Sequence, residues 1–140
     1  MRKLTLLTAL LCLAILGACK EEKEDKGAEM MKEVLAIHDE VMPKMTAISR
    51  LVSTLKPKLD STEQGMAYEK AMKDLQESNT EMMDWMTDFG DRFDSDEVMN
   101  GKDLSPEKLR WLKEEKQKID ALKQNVEVNI SEAEALLKKQ

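Results

Sequence analysis

The chain predicts an all-α fold, an antiparallel up-down-up three-helix bundle of coiled-coil type, and three observations carry that expectation. Apolar residues recur at alternating steps of three and four over three stretches of roughly thirty residues each, the spacing of a helical seam. Charged residues make up 36% of the 140 positions against Gly 5 and Pro 3, the composition of long charged helices rather than of sheet or disorder. Turn signals cluster at only two internal places, Pro57 to Thr62 and Asp94 to Leu104, which divides the region after the N-terminus into three long elements.

The first eighteen residues read as an address and not as part of the fold. Arg2-Lys3 precede a run from Leu4 to Leu16 that is apolar but for Thr5 and Thr8, the length of a signal-peptide core. The run closes in Leu16-Gly17-Ala18-Cys19, which resembles the bacterial lipobox, and the resemblance implies cleavage after residue 18 and lipidation of Cys19 as the first mature residue. Several acyl chains on one residue exceed what stable membrane anchoring needs, at about 0.8 kcal/mol per buried CH₂. Cleavage would also remove Cys12, so the mature chain has no free thiol and no disulfide. The net charge of −6 becomes two units more negative with the loss of Arg2 and Lys3, which argues against nucleic acid as a partner.

Residues 19–27 contain Lys20-Glu21-Glu22-Lys23-Glu24-Asp25-Lys26-Gly27, with nothing apolar after the Cys, and predict a flexible charged tether. Lys20-Glu21-Glu22 directly after Cys19 resembles the surface-export signal of Bacteroidota lipoproteins. The expected compartment is the outer membrane, on its periplasmic or its cell-surface face.

The bundle is expected over 28–140. The first helix, from Ala28 to about Lys58, carries one stripe at Met31, Leu35, His38, Met42, Met45, Val52 and Leu59, and an adjacent one at Val34, Ile37, Val41, Ile48, Leu51 and Leu55. Two stripes give the wide face of a helix that packs on two others. Pro43 denies the Asp39 carbonyl its bond and predicts a kink just beyond His38. Asp60-Ser61-Thr62 ends the helix and supplies Ser61 or Thr62 as the next cap.

The second helix, about Glu63 to Phe93, shows a sustained heptad seam at Tyr68, Met72, Leu75, Asn79, Met82, Met86, Phe89 and Phe93. Asp94 to Leu104 lacks periodicity and predicts a solvated acidic loop. Its acids lack the order of a calcium loop, in which a turn glycine and a closing Glu hold fixed places. Ser105-Pro106-Glu107 starts the third helix with a cap, a proline at the first position and an acid in the first turn. Its seam is Leu109, Leu112, Ile119, Leu122, Val126, Ile130, Ala133 and Leu137, with a polar gap at Glu115 and Lys116. Each helix of about 30 residues spans about 45 Å.

Eleven Met against five aromatic residues is the unusual count. A turn near residue 60 sets His38 beside Met82 and Met83, with Met42, Met45 and Met86 on the same faces. Trp111, Leu112 and Glu115 are expected at that level from the third helix, with Trp85 flanking. The cluster reads in two ways. Met is the adaptable filler of an irregular core, and thioether plus imidazole without thiolate is also the donor set that selects Cu(I). The second reading makes His38, Met42, Met82 and Met86 the ligands, Met45 a reserve, and Trp85 and Trp111 neighbours. It is similar in ligand type to periplasmic copper chaperones that use His, two Met and a Trp.

No catalytic residues are expected. Asp39, one position after the single His, is expected to point away from it, three close-packed helices leave little room for haem, and no Gly-rich phosphate loop or HExxH occurs. The expected role is a non-enzymatic, membrane-anchored envelope module, a helical spacer or an interaction surface for an envelope protein, with Cu(I) handling as the alternative.

Ile37-His38-Asp39-Glu40-Val41-Met42-Pro43-Lys44-Met45 and Met82-Met83-Asp84-Trp85-Met86-Thr87-Asp88-Phe89 resemble segments of a family of small Bacteroidota lipoproteins that carry the label "viral A-type inclusion protein". With the lipobox, the resemblance covers most of the chain. It implies the compartment and the helical fold, no viral role and no activity.

Overall fold

The computed structural model describes the backbone of residues 18–138 and the side chains of 26–138. Helix α1 (Ala18–Leu55) passes through a short 3₁₀ turn (Lys56–Lys58) into α2 (Glu63–Arg92), and the short α3 (Ser95–Met99) leads to α4 (Pro106–Lys138). The fold is an all-α helical bundle. Among the described residues no helix is long and apolar enough to cross a membrane. The expected signal peptide lies outside the described residues but for Ala18, and so does the Cys19 side chain.

Ion pairs give the direction of each helix. Glu33, Glu40 and Lys44 on α1 pair with Lys116, Lys123 and Glu127 on α4, each partner 83 positions along, so these two helices run parallel. Arg92 near the end of α2 pairs with Glu114 early in α4, while Ser78 earlier in α2 accepts from Asn129 later in α4, so α2 runs antiparallel to both. Up-down-up is the result.

The caps follow local chemistry. The Thr62 hydroxyl accepts from the Gly65 N–H at 3.0 Å, and Asp60 accepts from the Thr62 N–H at 2.9 Å, which closes the turn between α1 and α2. A Cβ at Gly65 would lie 2.6 Å from the Asp60 backbone, so only glycine lets the turn approach this closely. Ser105 caps α4 through the Lys108 N–H.

The core differs in phase from the expected seams. On α1 the adjacent stripe is the buried one but for the partly buried Ile37, with Val34, Val41, Ile48, Leu51 and Leu55 inside, and of the first stripe Met31 is buried with it. Leu35, Met42, Met45 and Val52 only pack against its edge. On α2, Ala71, Ser78 and Trp85 replace the expected Met72, Asn79 and Met86 in the core, beside Tyr68, Leu75, Met82 and Phe89. On α4, Leu112, Ile119, Leu122, Val126 and Ala133 are buried as expected. Each fully buried aliphatic side chain contributes roughly 1.5–3 kcal/mol.

Two further expectations are corrected. Residues 19–27 are helical and continue into α1, because Lys20–Glu24 and Glu22–Lys26 have the i,i+4 spacing that favours a helix and Gly27 is buried where a Cβ would stand 2.8 Å from Leu109 Cδ2. The acidic loop contains α3, because Asp94 and Glu97 form a reciprocal capping box. Pro43 lies inside α1, as expected, on an exposed position.

Candidate functional site

The site most unlike ordinary packing lies between α1 and α2. His38 sits on the edge of the α1 core face with 24% of its side chain exposed. Its Nε2 approaches Met86 Sδ at 3.4 Å across the helix pair. Its Nδ1 lies 3.0 Å from Asp39 Oδ1, so Asp39 turns back to the imidazole instead of pointing away as its i+1 position suggested. A neutral imidazole has one N–H. In the tautomer that donates from Nδ1 to Asp39, the Nε2 lone pair is directed at the thioether sulfur, and in the other tautomer Nε2–H donates to Sδ.

Four residues on from His38 is Met42, and four residues back from Met86 is Met82. Antiparallel pairing therefore sets Met42 level with Met82, one turn from the His38–Met86 contact. Met82 is fully buried and forms the floor. Met42 and Met86 are partly buried. Met83, expected beside His38, is half exposed on the outer side of α2. Met45 lies nearly a turn beyond Met42, on the side away from His38.

Trp85 provides a wall. Its ring stacks on His38 at 5.8 Å and on Phe89 at 5.0 Å, and Phe93 continues the series 4.9 Å further on. The indole Nε1 is buried without a hydrogen-bond partner. Trp111, expected at this level, is elsewhere: Arg92 lies 5.6 Å over its ring. The α2–α4 pairing is about two turns away from the expected register, because α3 takes up residues that the sequence reading assigned to the turn.

The polar gap on α4 is a second feature. Glu115 is fully buried, and its Oε1 receives Arg92 at 2.9 Å and Lys118 at 3.0 Å, while Oε2 has no hydrogen-bond partner. No signal in the seam pattern distinguishes this inward carboxylate from a solvated one. Its basic partner Arg92, however, stands at the end of α2, where a cation is favoured by the helix dipole.

The acids of the former loop all serve local structure. Asp94 accepts from the Glu97 N–H and from Lys102, which holds its carboxyl below the usual carboxylate range, the Lys102 hydrogen bond being the larger cause. Glu97 is buried and paired with Lys108 at 2.5 Å. Beside them an apolar groove of about 530 Å³ opens between α1 and the α3–α4 connection, lined by Met31, Leu35, Val98, Leu104 and Leu109, with Met99 75% exposed at its edge. Among the described residues no three of His, Cys, Asp and Glu come together as metal ligands. The thioethers are therefore the donors to consider.

No family model matches the chain, and no curated protein and no solved structure matches it.

Proposed function

We propose that this chain is a non-enzymatic, lipid-anchored envelope protein, held on the outer membrane by acylated Cys19 and working as a helical spacer or interaction module for an envelope protein. The reading keeps the resemblance to small Bacteroidota lipoproteins and adds one observation, which carries it. α1 is continuous from Ala18 to Leu55, 38 residues or about 57 Å, so the anchor residue and the bundle share one helix. A lipid on Cys19 then sets the distance and direction of the bundle from the membrane, which a flexible tether does not do.

The outer surface supports the same reading. Paired charges such as Lys70–Asp74, Lys73–Glu69 and Lys116–Asp120 lace the helix faces, and such pairs add little stability but keep a long rod soluble. The acidic balance argues against a nucleic-acid role. Periplasmic and cell-surface placement are separated by protease shaving of intact cells.

Metabolic labelling with an alkynyl fatty acid tests the anchor. The wild-type chain is expected to carry label and to fractionate with membranes, and Cys19→Ala to lose both. Label surviving in Cys19→Ala overturns the anchor. A photo-crosslinker placed at exposed Arg110 or Lys113 tests the module, with one discrete adduct expected in intact envelopes. Substrate turnover by the purified chain that disappears in His38→Ala overturns the non-enzymatic reading.

A further inference from the structure

We infer that His38, Met86, Met82 and Met42 form a Cu(I)-binding site between α1 and α2, with Asp39 as the positioning residue behind the imidazole. The inference is independent of the anchor at Cys19.

The first support is the distance. At a tetrahedral zinc centre, a metal–nitrogen bond of about 2.0–2.1 Å and a metal–thiolate bond of about 2.3 Å hold the two donors about 3.5 Å apart, and a first-row ion held by imidazole and thioether needs a similar spacing. His38 Nε2 and Met86 Sδ are 3.4 Å apart. The pair already has the bite that one ion needs.

The second support is the chemistry of the facing atoms. In the tautomer whose proton is directed at Asp39, the two atoms that face each other both present lone pairs. Two lone pairs at this distance gain little from one another, whereas a cation between them satisfies both. A carboxylate on the far nitrogen of a histidine ligand fixes the tautomer and increases the basicity of the ligating nitrogen. Asp39 has that position, and its charge offsets that of a bound monovalent ion.

The third support is how the site is built. Met42 and Met82 stand one turn from the contact on the same two helices, which supplies two further thioethers at the adjacent level. Met82 closes the site from the core, Trp85 covers one side of the imidazole, and the exposed edge of His38 leaves an entrance. Thioether and neutral imidazole are soft to intermediate donors, which select Cu(I) over calcium, magnesium and zinc. The thioethers carry no proton for the metal to displace, in contrast to thiolate ligands.

The test is an anaerobic Cu(I) titration of the full-length chain in detergent against a competing Cu(I) chelator, read with tryptophan fluorescence. One equivalent is expected to bind and to quench Trp85, so that quenching persists in Trp111→Phe and disappears in Trp85→Phe. His38→Ala and Met86→Leu are expected to weaken binding more than about 100-fold, and Asp39→Asn by about 10–100-fold. Met82→Leu conserves volume, and circular dichroism of every variant verifies the fold. Met66→Leu and Met99→Leu, both exposed and remote, are expected to bind as the wild type does. Absence of binding overturns the site. So does binding that survives both His38→Ala and Met86→Leu, or that falls equally in Met66→Leu.

Discussion

The Glu115 level and the His38 level are both polar intrusions into an apolar bundle, and they are held in opposite ways. At the first, a fully buried carboxylate faces two cations at 2.9 and 3.0 Å, so hard charges are matched inside the fold. At the second, a partly exposed imidazole faces a thioether at 3.4 Å, and its far nitrogen lies 3.0 Å from a single exposed carboxylate. The difference separates structure from capacity. Charges buried in low dielectric must be matched by the protein itself, and the match breaks expensively when one member leaves. Thioethers cost little to bury, so they can line a site without a partner supplied by the fold.

That contrast can be broken first on the structural side. Leu112→Ala removes a fully buried side chain three residues before Glu115 and is expected to cost about 2–5 kcal/mol in chemical denaturation, the scale for the others. Arg92→Ala leaves the Glu115 carboxylate with Lys118 alone. Because Arg92 is 30% exposed, the expected cost is about 2–3 kcal/mol, below that of breaking a fully buried pair. The double variant Arg92→Ala/Glu115→Met should recover part of that loss, since the buried charge disappears with its partner. No recovery would mean that Arg92 acts through its packing over Trp111 and not through its charge.

The turn that sets the His38–Met86 level is expected to be next in size. Gly65→Ala places a Cβ against the Asp60 backbone and should cost about 1–3 kcal/mol, whereas Gly90→Ala meets no atom within 4 Å and should gain about 0.5–1 kcal/mol. On the soft side, Met86→Leu is expected to change stability by less than about 1.5 kcal/mol in the same denaturation series. A larger loss would show that the sulfur is needed for packing and would remove the contrast.

The smallest effect is with pH. Hydrogen bonds from Thr62, Lys102 and Lys44 hold Asp60, Asp94 and Glu127 below their ordinary values. A carboxylate lowered in the folded state adds stability above its unfolded value, and that stability is lost as pH falls through the lower folded one. The melting temperature should therefore decline slightly below about pH 4, and Glu127→Gln should flatten part of the decline. Lys116 and Lys123 are raised by Asp120 and Glu40, so their contribution is present below the ordinary lysine value and lost as pH rises through the raised ones.

Helix content, the caps at Thr62 and Ser105 and most of the α4 seam were legible because they depend on neighbours within a few positions. The phase of the α2 seam was not. Tyr68, Leu75, Met82 and Phe89 belong to either reading, and a shift of one residue at the intervening positions decides between Met72, Asn79 and Met86 and the observed Ala71, Ser78 and Trp85. Apolar character favours Met72 over Ala71 and does not separate Ser78 from Asn79. In the structure Ser78 is inside because Asn129 of α4 reaches it at 2.9 Å, a partner 51 positions away that no local pattern announces. The α3 capping box, in contrast, was readable from Asp94 and Glu97, three positions apart, and was obscured by the density of acids around it.

By itself the sequence determined that the chain forms long helices, where they turn, and that His38 and a group of methionines lie on facing helices, because periodicity and capping are local properties of the backbone. Only the tertiary structure decided that Met86 meets the imidazole, that Asp39 turns back to it, that Trp111 leaves this level for Arg92, and that Glu115 is buried. Those outcomes depend on the register between helices. Register is a sum over many weak contacts along the whole interface, and a shift of one turn, about 5.4 Å, exchanges every partner while leaving each helix unchanged.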